Sequence, residues 1–298
     1  MMAKLVSTWV IITLWISCAY SQFKEDKTIK DCDLITSDIR KVDNQQLMSI
    51  NIRYDNPKDG INQWKYRRDE LVQLIQYYRP GIVGLQEAEI QQLAYIEEAM
   101  PDYGRIGVGR DDGKDKGEFC AIMYDTKVYE LIDNQTFWLS DTPSEVSVGW
   151  DAAMERVCTY GVFMNLETKD TIAVFNTHFD HRGPIACMKS AKLILKKIQA
   201  LPDKEHAVVV MGDLNCEPQE SPIQVLGTQL KDGMSESQSG LYGPEGTFNG
   251  FKNDIVITKR IDYIFAKNVE VKSYRHIDDK KNDNNCISDH LPILIEFY

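Results

Sequence analysis

The sequence contains Met211-Gly212-Asp213-Leu214-Asn215, Arg260-Ile261-Asp262-Tyr263-Ile264 and Ile287-Ser288-Asp289-His290-Leu291-Pro292, three short acidic motifs each bordering an apolar run. A strand that ends in Asp-x-Asn or Asp-His lifts carboxylate, amide and imidazole groups out of a sheet at its rim. Oxygen-rich rims of this kind hold hard cations such as magnesium, manganese or calcium. Taken singly, each motif has a plainer reading. Asp-Leu-Asn after Val208-Val209-Val210 closes a strand with an Asx turn, and Ser-Asp-His-Leu-Pro turns into a strand opened by Pro292. Asn51, Glu87 and Thr177-His178 each end or interrupt a further apolar strand. Six unrelated turns with this composition are a poor account, whereas one assembled site explains them together.

The chemistry such a set supports is attack of water on a phosphoester, which needs a base and compensation for charge on the phosphate. Asp213 is the candidate to take a proton from the water, with Asn215 positioning that water or a phosphate oxygen. Glu87 and Asp289, with Asn51 as a neutral oxygen donor, form the oxygen-only donor set that Mg2+ or Mn2+ prefers. His178 and His290 are the candidates to donate hydrogen bonds to the phosphate in the transition state.

The motif order Asn, Glu, Glu, Arg, His, Asp-x-Asn, Asp, Asp-His resembles the endonuclease/exonuclease/phosphatase superfamily, which includes deoxyribonuclease I and the inositol polyphosphate 5-phosphatases. The resemblance runs from Leu47 to Tyr298. Glu118-Phe119, Phe137-Trp138-Leu139-Ser140 with Pro143, and Trp150 with Arg156 look most like a secreted branch of unsettled substrate. The resemblance implies an α/β fold with a four-layer α/β/β/α sandwich, two mixed, mainly antiparallel sheets packed together with helices outside. It also implies that Asp262 orients His290, that Glu118 orients His178, and that Arg156 binds the substrate phosphate together with His178, Asn215 and His290.

Hydrophobic periodicity locates the elements that must carry these groups. Leu47 to Tyr54 alternates, with Met48, Ile50, Ile52 and Tyr54 on one face and Ser49, Asn51 and Arg53 on the other, as a strand does. Leu71, Leu74, Ile75 and Tyr78 recur at helical spacing until Pro80 stops them. Ile82 to Leu85 then delivers Glu87, and Ile90 to Met100 reads as a second helix. Glu118–Tyr124, Tyr129–Trp138, Val157–Leu166 and Thr171–Thr177 read as one antiparallel series. Helix 184–201 returns the chain to strand 207–211, and later strands are expected at 261–266, 269–274 and 292–297. His181 and Arg182 are candidates for a substrate loop, while Trp64, Trp138 and Trp150 read as packing residues.

Composition sets the outer bounds. The 298 residues are 43% hydrophobic and 27% charged, enough for one large domain. Residues 1–21, with Lys4, an apolar run and Ala19-Tyr20-Ser21, have the form of a secretory signal peptide. Lipidation at Cys18 is the variant reading. Residues 22–45 read as an extension and 46–298 as the catalytic domain, so export, with no membrane span after cleavage, and a monomer are expected. Removing residues 1–21 takes away one lysine and no acid, moving the formal charge from -11 to -12. That balance argues against nonspecific nucleic-acid binding through a basic surface but not against a phosphoester substrate, whether nucleic acid or a small phosphorylated molecule. Beyond Cys18, the cysteines Cys32, Cys120, Cys158, Cys187, Cys216 and Cys286 are even in number, and disulfides are expected in an oxidising compartment. The alternative to an enzyme is a phosphate-ligand or partner-binding protein on the same fold, which would require decay of the motif set; no position in it has decayed.

Overall fold

The computed structural model describes residues 45–202 and 207–298. The proposed signal peptide, the extension up to residue 44, Cys18 and Cys32 lie outside the described residues.

Two sheets form the centre. The first has the order β10-β12-β13-β1-β2-β4-β3 and the second β5-β6-β7-β8-β11-β9. In chain order the strands of the site are β1 (Gln46–Asn51), β2 (Ile82–Ala88), β3 (Tyr103–Ile106), β4 (Phe119–Asp125), β5 (Tyr129–Trp138), β6 (Val157–Asn165), β7 (Thr171–His178) and β8 (Ala207–Asp213). They are followed by β9 (Lys231–Asp232), β10 (Leu241–Tyr242), β11 (Asp262–Lys267), β12 (Val271–His276) and β13 (Ile293–Phe297). The inner faces meet through Leu47, Ile82 and Ile122 of one sheet and Val174, Val209, Met211 and Ile264 of the other. Helices α1 (Arg68–Tyr78) and α2 (Ile90–Ala99) cover the first sheet through Leu71, Ile75, Leu93 and Ile96. Helices α3 (Pro184–Gln199) and α4 (Ser221–Leu226) cover the second through Ala191, Ile194, Ile223 and Leu226. The order is therefore α/β/β/α, the expected four-layer sandwich.

One expectation needs correction. Phe119–Asp125 does not join the antiparallel series with β5; it pairs with β2 and β3 in the first sheet, and only β5, β6 and β7 run on as an antiparallel series in the second. Alternation cannot reveal this, because a strand buried on both sides reads alike in either sheet. The expected disulfides are also absent among the described residues. Cys120, Cys158, Cys187, Cys216 and Cys286 are free and buried, acting as small apolar side chains in the packed layers.

Two parallel pairs place the rim. β1 runs parallel to β2 through the α1 crossover, with Asn51 opposite Gln86, and β7 runs parallel to β8 through α3, with His178 opposite Asp213. β11 is antiparallel to β8 and begins with Asp262 opposite Asp213. Parallel strands joined by helical crossovers leave their carboxyl ends on one side of the sheet, where α/β folds bind ligands.

Candidate active site

Register alone brings His178, Asp213 and Asp262 into one row across three neighbouring strands. Backbone conformation then turns the side chains outward. Gly212 has φ 140°, and a Cβ there would lie 1.9 Å from the Thr177 carbonyl oxygen, so only glycine lets β8 end beside β7 in this way. Asn215, Glu87 and Arg53 adopt left-handed φ values of 49°, 57° and 58°. Each such residue costs about 1 kcal/mol or more, and the surrounding hydrogen bonds hold it there. The Asn215 backbone N–H donates to Asp213 Oδ1 at 2.9 Å, and that of Tyr54 donates to Glu87 Oε2 at 3.1 Å.

The two sheets are locked beneath the site by a polar contact that the sequence reading did not identify. Asn176 on β7 donates to the carbonyls of Leu85 and Ala121 in the other sheet, at 2.9 and 2.7 Å. Its Oδ1 accepts from Gln86 at 2.6 Å. Gly84 makes room, since a Cβ there would come within 2.9 Å of the Asn176 amide. A lone asparagine in an apolar strand, Ala173 to Thr177, was the available signal.

Asp213 is the hub. Asn51 Nδ2 donates both to Asp213 Oδ2 and to Glu87 Oε1, each at 3.0 Å. His178 Nε2 lies 3.4 Å and His290 Nε2 lies 3.7 Å from the same Asp213 oxygen. His290 Nδ1 is 2.8 Å from Asp262 Oδ2, the pairing the resemblance implies. Thr247, another residue outside the sequence reading, supports Asp262 by accepting the backbone N–H groups of Ile261 and Asp262 at 3.1 Å. Phe248 packs edge-on against the His290 ring, with centroids 5.0 Å apart. Ser288 Oγ donates to the Asn51 carbonyl at 2.6 Å, tying the Asp289-His290 turn to the end of β1.

The electrostatics differ across the site. Burial pushes the Asp213 carboxyl up to about 7, with Asp262 adding to the rise against the opposing pull of His290. Burial works against charge on His290, but Asp262 first and Asp213 second outweigh it and hold the imidazole well above its ordinary value. His178 goes the other way, held well below by burial and then by Arg156 and Arg110. His178 Nε2 is 2.9 Å from Asn215 Nδ2. With the amide donating, the imidazole proton sits on Nδ1, an assignment drawn from the network.

Glu118 and Arg156 lie at the expected rim but make different contacts. Glu118 does not hold His178; both its oxygens accept from Arg110, at 2.8 and 3.0 Å, and His178 Nδ1 has no hydrogen-bond partner among the described residues. The reason is local: Gly113 and Gly117, both with positive φ, fold the 109–118 loop back so that Arg110 and Glu118 meet across it, and the Arg110 backbone N–H donates to the Glu118 carbonyl. Arg156 is buried. Its Nη2 meets His181 Nδ1 at 3.1 Å, Nε lies 3.6 Å from Asp180, and Nη1 has no hydrogen-bond partner among the described residues. His181 and Arg182 are exposed beside it. Trp64 and Trp138 are buried, as packing residues should be.

The donor set suits a hard divalent cation. Asp213, Asp262 and Asp289 are buried, and the Glu87 side chain is 12% exposed. Asp289 is raised by burial and further by Glu87, against His290 and Arg53. Carboxylates crowded out of water in this way are the ligands such an ion takes. Glu87, His178 and Asp213 present ligand atoms within 4.8 Å of one another, as do Asp213, Asp262 and His290. In the second trio Asp262 and Asp213 favour the charged form of His290, which competes with ligation through its ring.

Comparison with known proteins decides the lineage. The model of the Endonuclease/Exonuclease/phosphatase family matches residues 48–290. The chain belongs to this family. It is a hydrolase of phosphoesters, as the family's nucleases and phosphatases are. Among solved structures it is similar to a Bacteroides thetaiotaomicron mannosyl-6-phosphatase, with 34% identity and a TM-score of 0.81 over 85% of this chain and 99% of that one. D. rerio TDP2, solved with a single-strand DNA product, shares the fold at 18% identity and a TM-score of 0.67, covering 85% of this chain and 98% of that one. A Saccharomyces cerevisiae protein named "Probable RNA exonuclease NGL3" is 29% identical over 178 residues, 55% of this chain and 34% of its own length. The family chain thus spans about a third of that yeast protein.

Proposed function

We propose that this family member is a divalent-metal-dependent phosphatase of small soluble phosphomonoesters, acting by direct attack of water without a covalent intermediate. The observation that carries it is the position of Asp213, a buried carboxyl raised to about 7 with Asn51 and Glu87 on one side and two histidines on the other. Asn51, Glu87 and Asp289 would hold Mg2+ or Mn2+, which when bound supplies positive charge to polarise the phosphoryl group.

The remaining work belongs to the side chains. Asp213 accepts the proton of the attacking water, and a carboxyl raised towards neutral pH is a better base than an ordinary one. Asn215, fixed by its left-handed turn, orients that water or a phosphate oxygen. His290, charged and aligned by Asp262, donates to the phosphoryl oxygens as their charge grows. His178 stays neutral, so it orients without adding charge. Arg156 accounts for the placement of His181 at the mouth, where the ring's free N–H is a donor for a substrate oxygen.

The preference for a small phosphoester draws support from the acidic net charge of -11 and from the likeness to the mannosyl-6-phosphatase. Export through residues 1–21 belongs to the same proposal. The test is hydrolysis by the purified protein, with and without Mg2+ or Mn2+, of hexose 6-phosphates, bis(4-nitrophenyl) phosphate and single-stranded RNA and DNA. Metal-dependent release of inorganic phosphate from the sugar phosphates is expected. Cleavage of the nucleic acids alone would replace the phosphatase reading with a nuclease, and no metal-dependent turnover on any of them would overturn the proposal.

A further inference from the structure

Arg53 is a strongly placed charge of the site with no part in the chemistry above. Its backbone is fixed from every side. The N–H donates to Asn51 Oδ1 at 2.9 Å, and the carbonyl accepts from Arg67 Nη2 at 2.7 Å and Gln92 Nε2 at 2.9 Å. Arg67, fully buried, spends its remaining donors on the carbonyls of Ile52 and Asn62. These contacts hold Arg53 at φ 58°, a conformation that a long side chain does not choose unaided.

The side chain is fixed as firmly. Nε and Nη2 donate as a fork to Asp59, at 2.9 and 3.1 Å. Nη1 is left 3.9 Å from Glu87 Oε2 and 3.8 Å from Asp289 Oδ2. Those distances are too long for hydrogen bonds, so the guanidinium acts on the two carboxylates through charge alone. A guanidinium remains charged at any pH the fold survives. We propose that Arg53 is a resident counter-cation for Glu87 and Asp289: it balances the pair in the metal-free protein and, by repulsion, weakens their hold on a divalent ion.

This rests on the metal-dependent reading above, and makes Arg53 a positioning residue rather than a ligand. Two buried carboxylates facing one another without a cation destabilise the fold, and Arg53 offsets that cost before an ion arrives. The same fixed charge remains beside a bound ion, because Asp59 keeps the fork from swinging clear. Arg53 thereby trades affinity for a site that stays folded when empty and releases its ion.

The test is calorimetric titration of the chelator-stripped full chain with Mg2+ and with Mn2+, alongside thermal unfolding with and without metal. For Arg53→Gln, the dissociation constant should fall by at least about tenfold, the scale set by removing one unit charge roughly 6 Å from a divalent ion even at the dielectric of water. Its metal-free melting temperature should drop by roughly 2–4 °C, and its gain on adding metal should exceed that of the wild type. Arg53→Lys keeps the charge and should bind metal within about threefold of the wild type. If Arg53→Gln is unfolded in chelator and folds on adding metal, the inference holds in its extreme form. Weaker or unchanged metal binding in Arg53→Gln, or a variant that no metal refolds, overturns it. A wild type that binds neither ion sinks the metal-dependent reading itself, which keeps the two failures distinct.

Discussion

His290 and His178 are the same residue type, both buried and both within 4 Å of the same Asp213 oxygen, at 3.7 and 3.4 Å, yet they carry opposite charge preferences. Burial disfavours the imidazolium in both places, so the neighbours decide. Beyond the shared Asp213, His290 faces Asp262 and Asp289, whereas His178 faces Arg156 and Arg110. One rim can thus favour a charged ring and a neutral one from the same residue type, through the strand that each follows.

The largest blow to this arrangement comes through the oxygen the histidines share. Asp213→Asn removes the proposed base while preserving shape and hydrogen bonding to Asn51, and should lower kcat by about 10²–10⁴-fold with little change in metal affinity. A steady-state assay on the best substrate, paired with metal titration, checks both halves.

Next in size is a contrast between adjacent residues. His290→Ala should lower kcat by about 10²–10³-fold and leave metal binding unchanged. Asp289→Ala should weaken metal binding and recover part of its rate at high metal concentration. Asp262→Asn should resemble His290→Ala but less severely, because it loosens the imidazole without deleting it. Recovery of the His290 variant by excess magnesium would show that the division of labour along the Asp289-His290 turn is drawn wrongly.

A smaller effect is expected on the His178 side. Glu118→Gln keeps the loop but weakens the fork to Arg110, freeing positive charge towards His178. It should change kcat less than tenfold, within the range of losing a single charge-assisted hydrogen bond. A hundredfold loss would mean that Glu118 acts directly on the reaction after all.

The smallest effect, and the most direct test of the comparison, is in stability against pH for the metal-free protein. A group whose pKa is raised on folding, as in His290, contributes stability that is complete below the unfolded value and is lost as pH rises through the folded value. A group whose pKa is lowered, as in His178, costs stability as pH falls from the unfolded value towards the folded one. His290→Gln should therefore flatten the alkaline fall of the unfolding free energy, and His178→Gln the acid fall below about pH 6.5. Urea unfolding across pH 5–9 would reveal it, and slopes of equal sign would break the comparison.

The elements were legible wherever periodicity carried them. The edges of β5 and the start of α3 fall where Tyr129–Trp138 and Pro184 suggested, because alternation, a Pro at the first turn and a terminal apolar residue are local signals. The short strands at Lys231–Asp232 and Leu241–Tyr242 were not legible. Two residues give no period, and only their partners in β11 and β12 make them strands.

What the sequence by itself determined was the inventory: which carboxylates, amides and imidazoles stand at strand ends, and the order in which they come. A family pattern and an apolar period are written in residue types at fixed spacing. What only the tertiary structure decided was who faces whom. The assignment of β4 to the first sheet, the pairing of Glu118 with Arg110 instead of His178, the contact of Arg156 with His181 and the seat of Arg53 between Glu87 and Asp289 all join positions distant in sequence or set by loop conformation. Coulomb energy depends on distance through space and on burial, and neither is a property of spacing along the chain. Two histidines that read alike in the sequence become opposites only when the strands bring different neighbours to them.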